Sequence, residues 1–111
     1  MSRPRQLPDL THLQFLVLGI LHGREQPGRI VRAALADYGA RRTAAAFYQM
    51  MARLERDGLV DGYYGHAIVG DQAVTERRYR ITAAGARAWS DTRAFYETVG
   101  VAALRHRWSD A

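Results

Sequence analysis

The chain has 111 residues, 48% apolar and 24% charged, which is room for one domain and the composition of a folded rather than a disordered one. Sixteen cations against eleven acids give a net charge of +5 and a pI near 10.2, which points to an anionic partner. No cysteine is present, so disulfides, thiolate catalysis and cysteine-ligated zinc are excluded.

Residues 1–8 hold two prolines and two arginines and are expected to form a flexible arm. Leu10, Leu13, Val17, Ile20 and Leu21 recur at helical spacing and predict a first helix over about 10–22. Asp9 or Thr11 can cap it, and Thr11 with Gln14 has the spacing of a capping box. After a loop over 23–26, Pro27 suits the first turn of a second helix. Its stripe is Ile30, Val31, Ala34, Leu35 and Tyr38, and Gly39 ends it. Thr43 caps a third helix over about 44–57, with Phe47, Met50, Met51 and Leu54 in one narrow arc as its core face. Gly58 ends that helix. Leu59–Ile68 and Glu76–Thr82 have strand character, and the stretch with Gly70-Asp71-Gln72 between them predicts a long hairpin. Thr82 caps a last helix over about 83–107, in which Trp89, Thr92, Tyr96, Val99 and Ala103 follow the three-four steps of a helix-packing seam. Gly100 lies inside it and weakens it by about 1 kcal/mol relative to Ala.

Three helices, a hairpin and a long helix are the element order of a winged helix-turn-helix with an added C-terminal helix. The expected division is a DNA-binding unit over 9–82, with its wing at about 59–82, and a dimerisation helix over 83–111. The third helix is the candidate reader of a major groove. Gln49 is its best base contact, with adenine the natural match, and Ala45 with its neighbouring alanines can meet only thymine methyls. Arg42, Thr43 and Arg53 flank it, the arginines as phosphate contacts. All sixteen cations are arginine, whose guanidinium binds phosphate through a two-pronged fork. Arg77 and Arg78 are adjacent, so a regular strand sends them to opposite faces, and at least one is expected to reach the DNA backbone. The last helix has no obvious partner within so small a domain, and a second copy is the economical one.

The segment Phe47-Tyr48-Gln49-Met50-Met51-Ala52-Arg53-Leu54-Glu55-Arg56-Asp57-Gly58-Leu59-Val60 resembles the "LYxxLxRLExxGLI" stretch of the PadR-like transcriptional regulators. Arg77-Arg78-Tyr79-Arg80-Ile81-Thr82-Ala83-Ala84-Gly85 is similar to the "KYYRLTxxG" of the same family. The second helix opens with Pro27-Gly28-Arg29-Ile30 where that family often has "YGYEI", and Arg78 stands where a tyrosine is usual. The resemblance covers about residues 9–108. It implies a homodimeric DNA-binding repressor of the small subclass with a single C-terminal helix, acting on a pseudo-palindromic operator. It also implies a phosphate contact at Tyr48. A further implication is a planar aromatic effector held between the subunits, with Tyr96 as the stacking residue beside Trp89, Phe95 and Trp108. Dimer packing alone accounts for those aromatics as well.

Other functions find little support. The four histidines, at 12, 22, 66 and 106, are scattered and lack metal-ligand spacing. No phosphate-cradling glycine loop precedes a helix, and no nucleophile elbow surrounds Ser2, Ser90 or Ser109. The expectation is a non-enzyme without cofactor or metal. With no apolar run near the ~20 residues that span a bilayer and no leader-like segment, the expected location is the cytoplasm. A winged helix used for protein docking, and a small-molecule binder with no role in DNA regulation, remain alternatives at this point.

Overall fold

The computed structural model describes residues 8–109, with side-chain environments for 8–101. Residues 1–7 of the N-terminal arm and the side chains of Ala103, His106 and Trp108 lie outside the described residues. The elements are α1 (His12–Leu21), β1 (Gln26–Pro27), α2 (Gly28–Asp37), α3 (Ala44–Arg56), β2 (Val60–Val69), β3 (Gln72–Ile81) and α4 (Ala83–Ser109). The sheet is antiparallel in the order β1-β3-β2. Four helices and a three-stranded sheet make a winged helix, as the element order predicts.

The start of α1 and the ends of α2 and α3 have local causes. Thr11 caps α1 in a full capping box: its hydroxyl accepts from the Gln14 N–H at 3.1 Å, and the Gln14 side chain accepts from the Thr11 N–H at 3.0 Å. The helix therefore starts at His12 rather than at Leu10, which packs on the rim of the core. α2 and α3 both end in Schellman motifs, with Ala40 N–H on the Leu35 carbonyl at 2.8 Å and Leu59 N–H on the Leu54 carbonyl at 2.9 Å. The residues that make these turns are Gly39 and Gly58, with φ of +87° and +75°.

The core gathers Val17, Leu18 and Leu21 from α1, Val31 and Leu35 from α2, and Phe47, Met51 and Leu54 from α3. Val60 and Tyr79 close it from the sheet. Met50 packs at the edge of this cluster. Only Val31 and Leu35 of the expected α2 stripe join the core; Ala34 is half-buried and two members are exposed. Ile30 is exposed, and Tyr38, already past the last helical residue, is 70% exposed.

Three features depart from the sequence-based expectation. The loop before α2 contains β1, where Gln26 pairs with Tyr79 and Pro27 with Arg78. A two-residue edge strand ending in proline, which has no N–H to give a ladder, carries no periodic signal. The hairpin is longer than predicted, with pairing from Val60↔Ile81 out to Val69↔Gln72 around a Gly70-Asp71 turn. Gly70 at φ +64° gives the sign pattern of a type II′ turn, whose twist matches that of the flanking strands. Finally, α4 does have a partner inside the domain. The Trp89 indole lies against Gly19 of α1, stacks on His22 at 4.4 Å, and runs nearly parallel to Phe15 at 6.2 Å.

The start of α4 is welded to the end of α3. The Thr82 N–H donates to the Leu59 carbonyl at 3.1 Å, and the Thr82 hydroxyl donates to the Gly58 carbonyl at 2.6 Å. The same hydroxyl accepts from the Gly85 N–H at 3.0 Å and so caps α4. Gly85 is buried, and a Cβ there would drive into the Leu59 carbonyl oxygen. This junction ties the Gly58-Leu59 segment to Thr82-Ala83-Ala84-Gly85.

Gly85→Ala is expected to cost about 1–3 kcal/mol by overpacking. In a thermal melt that is a fall of roughly 10 °C for a domain of this size. Gly100→Ala, where a Cβ meets nothing, should show no such loss and should raise helicity.

Candidate nucleic-acid interface

The outer face of α3 is set by its buried one. Phe47, Met51 and Leu54 face the core, so Ala45, Tyr48, Gln49, Ala52 and Arg53 are turned outward and are all exposed. The Tyr48 ring meets Phe47 edge-to-face at 5.0 Å. It also lies against Gly28, the first residue of α2. A Cβ on Gly28 would come within 2.9 Å of the Tyr48 ring and hydroxyl and 3.1 Å of the Tyr79 ring. Glycine at this position lets the α2 backbone approach both tyrosines. Thr43 spends its hydroxyl oxygen as an acceptor from the Ala46 N–H at 3.1 Å, so it acts first as the cap of α3.

Arg42, Gln49 and Arg53 share one cavity of about 350 Å³ between α1 and α3, which Ala46, Met50 and Gln14 also line. It brings together the candidate base contact and two candidate phosphate contacts. No salt bridge among the described residues takes Arg42 or Arg53.

The wing is arranged differently. Arg77 and Arg78 lie on opposite faces of β3, as their adjacency requires. Arg77 donates to Glu55 of α3 at 2.7 Å, and its guanidinium lies over the rings of Tyr64 and Tyr79, at 4.9 and 5.9 Å. A Cβ on Gly62 would meet the Glu55 carboxylate at 2.5 Å and the Arg77 guanidinium at 2.9 Å. The pair thus packs directly on the backbone of β2. Partial burial works to lower the Arg77 pKa, but the hydrogen bond and charge of Glu55 outweigh it and hold the group above its ordinary value. Burial pushes the Tyr79 phenol up, so it stays neutral in this site. Arg78 approaches Glu76 at 3.6 Å, and Glu76 also accepts from Arg29 of α2 at 2.9 Å. Arg80 pairs with Asp61 at 3.4 Å. Between α3 and β3 lies an open groove of about 750 Å³, lined by Tyr48, Ala52, Glu55, Tyr64, Arg77 and Tyr79.

The candidate α4 residues separate into two groups. Trp89 packs on α1, and the Arg93 guanidinium sits over it at 5.6 Å. Thr92 is buried and donates to the Ala88 carbonyl at 2.7 Å. Phe95 is half-buried and meets Tyr96 edge-to-face at 5.4 Å. Tyr96 and Val99 are exposed, at 48% and 41%.

Sequence reasoning assigned no role to Glu55 or Gly28. Glu55 stands in the quoted α3 segment, and its partner Arg77 in the wing segment, but nothing in the sequence marks a pair 22 residues apart. A double-mutant cycle of Glu55→Ala and Arg77→Ala, followed by urea unfolding, should give a coupling of about 1 kcal/mol, the upper end for a pair that water still reaches.

No family model matches the sequence, and no curated protein matches it. Solved structures do. A PadR family transcriptional regulator from Eggerthella lenta DSM 2243 is 30% identical, with a TM-score of 0.64 over 83% of this chain and 80% of that one. A PadR family transcription regulator from hypervirulent Clostridium difficile R20291 is 14% identical but has a TM-score of 0.71, over 86% of this chain and 98% of that one. Bacillus subtilis PadR, solved in complex with operator DNA, is 20% identical, with a TM-score of 0.58 over 75% of this chain and 47% of that one. With these helices, this wing, and a 30% identical relative matched over four-fifths of both chains, the protein belongs to the PadR family of transcriptional regulators.

Proposed function

We propose that this chain is a sequence-specific, homodimeric repressor of transcription that reads double-stranded DNA with α3. The observation that carries this reading is the outward face of α3, where Tyr48, Gln49 and Arg53 stand exposed beside Arg42 on a helix held rigidly by its buried side. A helix is narrow enough for a major groove of about 12 Å. Gln49 supplies the two-pronged donor and acceptor that match adenine, Ala45 an apolar contact for a thymine methyl, and Tyr48, Arg42 and Arg53 the phosphate contacts. Bacillus subtilis PadR, which shares this fold, was solved in complex with operator DNA, and this supports DNA as the partner.

The dimer reading rests on α4. Trp89 docks on α1 and Thr92 is buried one turn on, but Tyr96 and Val99 remain exposed in the protomer. A twofold pairing of these helices buries them and sets two α3 helices about one DNA turn, ~34 Å, apart on a pseudo-palindrome. Phe95 and Tyr96 are the aromatic pair offered to a planar effector between the subunits. Such a ligand releases DNA only by favouring a subunit spacing that misfits the operator.

The test is binding to a duplex selected from a random library. Gln49→Ala should relax discrimination at one base pair by about 1–3 kcal/mol. Arg53→Ala should weaken every duplex alike and reduce the salt slope by about one. If both variants bind as the wild type does, α3 is not the reader.

A further inference from the structure

The wing arginines and the arginines near the start of α3 differ in one respect. Arg77, Arg78 and Arg80 each have a carboxylate within 4 Å, supplied by Glu55, Glu76 and Asp61. Arg32, Arg41 and Arg42 have none among the described residues. These three, with Arg29 and Tyr48, line a cavity of about 320 Å³ between α2 and the turn into α3, and its only other lining residues are Ala33 and Ala36. Of the lining arginines, Arg29 is paired, with Glu76.

Guanidinium groups brought around one cavity repel each other unless an anion joins them. Here two are pre-positioned. Arg32 donates its Nε to the Arg42 carbonyl at 3.0 Å, which leaves its two Nη groups for a ligand. The Arg29 Nε is occupied by Glu76 at 2.9 Å, which likewise leaves its Nη groups. Forked donors, a phenol hydroxyl and no acid are the chemistry of a phosphate site. The cavity opens beside Tyr48, on the same side of the molecule as the reading face.

We propose that this cavity is a phosphate clamp. It holds a phosphodiester of the DNA strand that flanks the bases read by α3, and the anchor on the backbone is the α2–α3 turn rather than the wing. The wing arginines serve instead to fix the wing on α3 and α2. This assignment rests on the DNA-binding reading above. It adds Arg29, Arg32 and Arg41, which sequence reasoning did not single out.

The test compares salt slopes of binding to the selected operator duplex for the wild type, Arg32→Ala/Arg41→Ala, and Arg24→Ala/Arg87→Ala. The last variant removes the same net charge from exposed residues outside the cavities described. Loss of one clamped phosphate should reduce the slope by about 0.9 in the first double variant. The charge control should keep the wild-type slope. If the wild type itself shows no preference for the operator, the DNA-binding reading fails and the clamp with it. If the wild type is specific but both double variants keep its slope, the clamp alone is overturned. In that case a melting-temperature rise with tripolyphosphate, seen for the wild type and lost in Arg32→Ala/Arg41→Ala, would assign the cavity to a free phosphate ligand instead. Equal reductions in both double variants would overturn the site in favour of a diffuse effect of net charge.

Discussion

The largest buried side chain that joins the wing to the helices is the ring of Tyr79. Tyr79 is the middle strand's contribution to the core. It lies against the glycine that opens α2, beneath the guanidinium of Arg77, and in the same cluster as Phe47 and Met51 of α3. A ring of this size contributes more apolar burial than any other residue of the hairpin. β1 pairs with the same stretch of β3, so α2, α3 and the wing are all positioned from Tyr79 and its neighbours. The height of Tyr48 above the surface is set here as well, because its ring shares the space over Gly28.

Around that ring, charge is divided with a purpose that net charge does not reveal. Of the acids near the reading face, Glu55, Glu76 and Asp61 all go to arginines of the wing or of α2. Arg41, Arg42 and Arg53, at the start and outer face of α3, are left without a carboxylate among the described residues. Which cations are left unpaired around α3 is thus decided by the placement of the acids and not by net charge. The ion pairs are partly open to water and contribute little stability individually. Their larger effect is geometric. They fix the angle of the wing and determine which arginines are available to an anion.

Much of this architecture can be read from the sequence. Caps at Thr11, Thr43 and Thr82, stops at Gly39 and Gly58, and the Phe47-Met51-Leu54 arc all signal through nearest neighbours, and those elements appear where expected. What escaped depends on distant residues. β1 exists only because β3 passes beside it. Trp89 is drawn to α1 by Gly19, His22 and Phe15, none of which the spacing within α4 could indicate. Arg77 looks like a surface cation until Glu55 is placed opposite it. Within the candidate site, the exposure of Tyr48, Gln49 and Arg53 followed from helix phase alone. The grouping of Arg29 and Arg32 with Arg41 required the packing of α2 against the turn.

On this reading α3 discriminates between sequences rather than merely presenting positive charge. Fluorescence anisotropy with the promoter duplex upstream of this protein's own coding sequence, against a scrambled duplex of equal length, tests it most directly at about 50 and 200 mM salt. Affinity for both duplexes should fall with salt, while a clear preference for the promoter survives at the higher concentration. Equal affinities that vanish together as salt rises would contradict this reading, leaving a basic surface without a reading helix.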